Sequence, residues 1–174
     1  MNLRNICIGT VLSAGLSLTA FAAEMPAVGQ QAPAVALPSQ DGGVVDIKSF
    51  RGKWVVLYFY PKDMTQGCTI EAHNFQQDLP KYDKLNAAIV GVSVDSTDSH
   101  QQFCTKESLT FKLLSDTGKK VVDEYGALGA NGMATRSTFL IDPTGKIVQV
   151  WPKVSAMKHS EEVLAALAEK EGKN

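Results

Sequence analysis

The sequence predicts an α/β sandwich in which a mixed β-sheet lies between helices. Residues 54–60 (Trp-Val-Val-Leu-Tyr-Phe-Tyr) and residues 88–94 are apolar without alternation, the pattern of strands buried on both faces. Between and after them run stretches with apolar side chains at helical spacing. Residues 138–151 then form two strand-like runs around Asp142-Pro143-Thr144-Gly145, the composition of a hairpin turn, and a last helical segment closes the chain. Strand, helix, strand, helix, hairpin, helix is the order of a sheet that is parallel in its first part and antiparallel in its second.

Taken from the amino end, residues 1–5 carry one arginine, and residues 6–21 are apolar or small and lead into Ala20-Phe21-Ala22. This is the layout of a cleavable secretory signal, expected to be removed after Ala22, so that residues 1–22 are the signal and 23–174 the working domain. The stretch is too short and too rich in Gly, Ser and Thr for a membrane anchor. The residues before Cys7 lack the small side chains of a lipidation site. A secreted, periplasmic protein is expected, with no stable membrane association after cleavage.

Residues 23–43, with Pro26, Pro33, Pro38 and Gly42-Gly43, read as an extended lead-in closed by a turn. Residues 54–60 stop at Pro61 and read as the central strand. From Cys68 to Leu85, Ile70, Ala72, Phe75, Leu79, Tyr82 and Leu85 recur at helical spacing, and Pro80 is expected to kink or divide that helix. Residues 96–108 open with capping residues and place Phe103 and Cys104 among polar neighbours on a surface helix. A short strand at Leu113-Leu114, a short helix over 119–125 and a capped amphipathic helix over 160–171 complete the pattern. Trp54 and Trp151 read as core or edge packing.

The composition excludes several functions. The 17 basic residues are dispersed among 18 acidic ones for a net charge of -1, so no basic patch suits nucleic acid or anionic lipid, and a small neutral substrate fits better. His73, His100 and His159 are lone histidines, read as solvated side chains. No cluster of histidine, cysteine and carboxylate has metal-ligand spacing, so neither a metal nor a cofactor is expected. Removal of residues 1–22 takes away Arg4 and no acidic group, leaving 152 residues, a charge of -2 and two cysteines. In an oxidising compartment two cysteines either form one lasting disulfide or cycle through one.

Cys68 stands where a buried strand has ended and a helix begins. Unpaired N–H groups and the positive end of the helix dipole favour an anion there, hence the thiolate, which is the nucleophilic form. Gly67 lets the backbone bend around the sulfur, Pro61 fixes the strand exit, and the Thr65 hydroxyl can bond to an O–O group near the thiol. On the residues alone this is a reactive thiol at a helix start, a description many redox proteins share.

The order of residues is more specific. Pro61-x-x-x-Thr65-x-x-Cys68-Thr69-x-Glu71-Ala72 resembles the active-site signature of the peroxiredoxins, in particular the peroxiredoxin Q group, also called bacterioferritin comigratory proteins. Gly29-Gln30-x-Ala32-Pro33, Arg51-Gly52-Lys53, Gly91-Val92-Ser93-Val94-Asp95 with Ser99-His100, Leu113-Leu114-Ser115-Asp116 and residues 136–142 (Arg-Ser-Thr-Phe-Leu-Ile-Asp) resemble that group in the same order, covering residues 28–168.

The resemblance implies a thioredoxin-like fold and a thiol peroxidase acting on hydrogen peroxide and organic hydroperoxides. Cys68 becomes a sulfenic acid, Arg136 holds the thiolate and steadies the peroxide, Pro61 shields the pocket, Thr65 orients the peroxide, and Glu71 holds local polar groups in place. Two positions depart from the pattern: Gln66 stands where proline is commoner, and His73 stands five residues after Cys68, where many relatives have their resolving cysteine. Cys104, 36 residues after Cys68, matches the resolving position of a subgroup. That match implies an intramolecular Cys68–Cys104 disulfide, reduced by a thioredoxin-like or glutaredoxin-like donor. A disulfide needs Cα atoms about 4.4–6.8 Å apart; if the reduced thiols stand further apart than that, the two segments are expected to rearrange in each turnover and to be the least stable parts of the fold. An internal resolving thiol needs no partner subunit, which implies a monomer.

Three alternatives stay open. A one-cysteine peroxidase would be resolved by an external thiol. A secreted thioredoxin-type oxidoreductase would need two cysteines separated by two residues, whereas Thr, Ile and Glu come after Cys68. A binding module would keep one static disulfide.

Overall fold

The structure, a computed structural model, describes residues 24–172. The expected signal over 1–22 lies outside the described residues. β3 (Trp54–Phe59) is the middle strand of five, in the order β5-β4-β3-β6-β7, with β4 at Ala87–Ser93, β5 at Lys112–Ser115, β6 at Ser137–Ile141 and β7 at Ile147–Trp151. β3, β4 and β5 run parallel, and β6 pairs antiparallel with β3 and with β7. The mixed α/β sheet of the sequence reading is present with β3 at its centre.

The unbroken apolar run of β3 is explained by its two faces. Trp54, Val56, Tyr58 and Tyr60 join a core layer with Phe75 and Tyr82 of α1 (Gln66–Lys84), Phe103 of α2 (Thr97–Glu107) and Val163 and Leu167 of α4 (His159–Glu171). Val55, Leu57 and Phe59 join the opposite layer with Val121 and Val122 of α3 (Lys120–Glu124), Tyr125 and Val35. Three helices cover one face, while α3 and the amino-terminal segment cover the other.

The extended lead-in closes in a turn at Gly42-Gly43, and its strand β1 (Ala36–Pro38) pairs antiparallel with β2 (Val44–Asp46), which follows it. One expectation is corrected. Pro80 does not divide the first helix, which runs 19 residues with Pro80 inside it. Pro80 is exposed, so the carbonyl deprived of its donor is on the wet side. The last turn is held by burial of Tyr82, whose hydroxyl donates to the Ser160 carbonyl at 2.9 Å. Ser160 belongs to the first turn of α4 and donates to Asp78 of α1 at 2.7 Å rather than capping its own helix, where Lys158 is the cap residue. Among the described residues no helix is long and apolar enough to cross a membrane.

Candidate active site

β3 and its parallel neighbour end at the same edge of the sheet, and the loop leaving β3 carries Pro61, Asp63 and Thr65 into α1. Thr65 is the cap residue of α1 with extended backbone, but its hydroxyl donates to the Lys62 carbonyl at 3.0 Å and makes no cap bond. The first N–H groups of α1 are left without that side-chain acceptor just where Cys68 sits in the first turn. The Cys68 thiol is 2% exposed.

Arg136 immediately precedes β6, whose first residue Ser137 pairs with Phe59 at the end of β3, so the guanidinium rises beside the same loop. Its Nη2 donates to Cys68 Sγ at 3.2 Å and its Nη1 donates to Glu71 Oε2. Burial alone would lower the Arg136 pKa, but the Glu71 carboxylate and then the Cys68 sulfur outweigh it and raise it on balance. The arginine is therefore a fixed positive charge shared between sulfur and carboxylate. A Cβ at Gly67 would lie in ordinary van der Waals contact with Arg136 Nη2, at 3.4 Å. A cleft of about 490 Å³, lined by Pro61, Ala134, Thr135, Arg136, Pro152 and Val154 among others, opens onto the guanidinium. Arg136 thus joins Cys68 and Glu71 by hydrogen bonds and shares the cleft wall with Pro61, while Thr65 is exposed on the loop before α1 and is not among the residues lining the cleft.

Cys104 lies in the second half of α2, 8% exposed, and both cysteines are free thiols in the same core layer. Burial first, then the Asp63 and Asp41 carboxylates, push the Cys104 thiol up to about 11. Around it the loop of Cys68 is clasped to α2 by Asp63, which accepts from Tyr60 at 2.7 Å, Ser99 at 2.7 Å and His100 Nδ1 at 2.8 Å. The Asp63 backbone N–H donates to Asp95 at 3.0 Å. A second clasp joins α1 to the far end of α2: His73 Nε2 lies 2.6 Å from Glu107, and Gln76 exchanges bonds with Thr110.

The reading of His100 and His159 as solvated is corrected. His100 and His159 are fully buried against the carboxylates of Asp63 and Glu71, and His73 is a half-exposed link between helices. The signal was in the spacing. His100 precedes Phe103 and Cys104 by three and four residues, and His159 precedes Val163 and Leu167 by four and eight, so each lies on the buried stripe of its helix. Asp63, buried beside the exposed Met64, gave no such signal. No group of three or more His, Cys, Asp or Glu is arranged for a metal ion among the described residues.

A thiol at a helix start, hydrogen-bonded by a half-buried arginine at the carboxyl edge of a mixed sheet, is the arrangement of a thiol-based redox site. The AhpC/TSA family profile matches residues 28–150, and the chain belongs to that family. It groups there with the peroxiredoxin Q proteins, which are thiol peroxidases. It is 40% identical over 151 residues to peroxiredoxin Bcp of Xanthomonas campestris, covering 83% of this chain and 92% of that protein. It is also 40% identical over 147 residues to peroxiredoxin Bcp of Bacillus subtilis, covering 80% and 94%. The bacterioferritin comigratory protein of X. campestris, solved in trapped intermediate and ligand complexes to study alkyl peroxide reduction, superposes with a TM-score of 0.75 at 38% identity, covering 79% of this chain and 92% of that one. Structures of peroxiredoxin Q from the same organism include serine variants at two cysteines 36 residues apart.

Proposed function

We propose that Cys68 reduces hydrogen peroxide and organic hydroperoxides and that Cys104 resolves the product. The observation that carries this reading is the Arg136 Nη2 donor 3.2 Å from Cys68 Sγ at the first turn of α1. The thiolate attacks the distal oxygen of R–O–O–H. An S–O bond forms as the O–O bond breaks, and the electron pair leaves on RO⁻, which takes up a proton. Sulfur is oxidised to the sulfenic acid, and the peroxide is reduced to alcohol or water. Arg136 meets the charge as it moves toward the leaving oxygen. Pro61 walls the apolar side of the cleft, which suits an alkyl tail. Thr65 stands on the loop three residues before the thiol with its hydroxyl proton committed to Lys62, leaving its oxygen as an acceptor for the peroxide proton.

Cys104 then attacks the Cys68 sulfur, forming S–S and expelling hydroxide, and a thioredoxin-like or glutaredoxin-like dithiol returns two electrons by exchange. The separation of 36 residues seen in the X. campestris variants equals that of Cys68 and Cys104, which supports the pairing. A thiol pushed up to about 11 is a poor nucleophile while α2 is closed. Opening the Asp63 clasp wets Cys104, restores its acidity and frees it to move, so resolution is coupled to local unfolding of α2. The same burial gives weight to a second reading, a one-cysteine enzyme resolved by an external thiol.

One equivalent of hydrogen peroxide in stopped flow, with wild type, Cys68→Ser and Cys104→Ser and peptide mapping, separates the two. A Cys68–Cys104 crosslink in wild type supports the first reading; a sulfenic acid persisting in wild type as in Cys104→Ser supports the second. The expected leader over 1–22 supports export to the periplasm and a mature chain beginning at Ala23, checked by fractionation and amino-terminal sequencing. With its resolving thiol internal, the enzyme works as a monomer, which light scattering checks.

A further inference from the structure

We propose that His159 is a positioning residue of the peroxidase site: by occupying one oxygen of Glu71 it keeps Arg136 from closing both arms on that carboxylate and leaves the second arm for Cys68. The inference rests on Cys68 being the nucleophile. Arginine and carboxylate favour a two-bond fork in which both Nη donors are taken. Here the fork is split. Glu71 Oε2 accepts from Arg136 Nη1, Oε1 accepts from His159 Nδ1 at 2.7 Å, and Nη2 goes to Cys68 Sγ.

Packing does not require this histidine. Its ring meets Phe75 and Trp151 edge-on, contacts a leucine would also make, and its Nε2 is buried with no partner among the described residues, a costly arrangement that leucine would avoid. Its one polar side-chain contact among the described residues is Glu71, whose carboxylate is itself buried. The ring is held in place from α1: Asn74 donates to the Met157 carbonyl at 3.0 Å, Tyr82 to the Ser160 carbonyl at 2.9 Å, and Ser160 to Asp78 at 2.7 Å. The amino end of α4 is therefore pinned on both sides of His159, and the C-terminal helix completes a site whose other parts lie between residues 61 and 136. With His159 gone, Oε1 has no donor, and rotation of the guanidinium to satisfy it draws Nη2 off the sulfur.

The test is a double-mutant cycle on the reduced full-length protein, reading the second-order rate of single-turnover oxidation by hydrogen peroxide. His159→Leu is expected to slow oxidation about ten- to hundredfold, the worth of a hydrogen bond to a charged group. His159→Asn, whose amide donates from near the Nδ1 position, recovers most of the rate. In a Glu71→Gln background, His159→Leu changes the rate less than about twofold, because the carboxylate it acts through is absent. A purely structural role would give the same fold-loss in both backgrounds and no recovery with Asn. Either that result or a wild-type rate in His159→Leu overturns the inference. Should His159→Leu fail to fold, the cycle is run with His159→Gln, which places its donor away from Oε1, under the same criteria. Cys68→Ser, measured alongside, separates the two levels: a wild-type rate there removes the nucleophile assignment itself, whereas loss there with an unaffected His159→Leu removes only the positioning role.

Discussion

Cys68 and Cys104 are both buried thiols in one core layer, yet their surroundings are opposite. Cys68 has a helix start beneath it and an arginine donor 3.2 Å away. Cys104 lies deep in its helix, with burial and carboxylates holding the proton on sulfur. On the proposed function, the contrast teaches that the charge accompanying burial, more than burial itself, sets a thiol's reactivity. The same proposal orders the two: Cys68 reacts in the closed fold, and Cys104 once α2 opens.

The contrast is broken most severely at Arg136. Arg136→Met removes the donor from the sulfur and leaves Glu71 with His159 alone. By the scale of a lost oxyanion donor, oxidation of Cys68 by hydrogen peroxide is expected to fall about 10²–10³-fold. Stopped-flow rates check this, and a fall below about threefold would mean that the arginine does not serve the thiol.

Asp63→Asn acts on the other region. It keeps the shape of the clasp but weakens its bonds to His100, Ser99 and Tyr60. It is expected to speed conversion of the Cys68 sulfenic acid to the disulfide about tenfold without slowing the first step. Fluorescence stopped flow with two resolved phases reads both. The same clasp sets a pH dependence. Burial raises the Asp63 pKa, but the His100, Ser99 and Tyr60 donors outweigh it and hold it below its ordinary 3.8. The stability it contributes is fully present above about pH 4 and is lost as pH falls through the depressed folded value. Amide protection of α2, corrected for the intrinsic exchange rate at each pH, should therefore fall below about pH 4 in wild type and change less in Asp63→Asn.

The smallest effect concerns Cys104 in base. Its folded value is raised from 9.0 to about 11, so it favours folding fully below pH 9, and this contribution is lost as pH rises toward 11. Chemical denaturation of the reduced protein should show a shallower decline over pH 9–11 in Cys104→Ser than in wild type.

Much of this was legible in the sequence. β3, β4 and the Cys68 helix start arise from an apolar run that stops at Pro61, and the hairpin of β6 and β7 from its turn residues. Arg136 was found through its place in a motif; nothing local distinguishes it from an exposed arginine before a strand. What escaped were partnerships across the chain. His159 meets Glu71 only because α4 returns to lie on α1, and His100 meets Asp63 only because α2 packs beside the loop after β3. Their helical stripes announced burial but not the carboxylates opposite them. Pro80 escaped for another reason: a breaker on the exposed side of a helix pinned by Tyr82 has little to break.

The most direct test of the contrast between the two thiols is to trap the sulfenic acid with dimedone after one equivalent of hydrogen peroxide at neutral pH, in Cys104→Ser and in Cys68→Ser, and to locate the adduct by peptide mass. Stoichiometric adduct on Cys68 is expected in the first variant and none on Cys104 in the second within the same time. An adduct forming on Cys104 as fast as on Cys68 would contradict the assignment of Cys68 as the thiol that is ready in the closed fold.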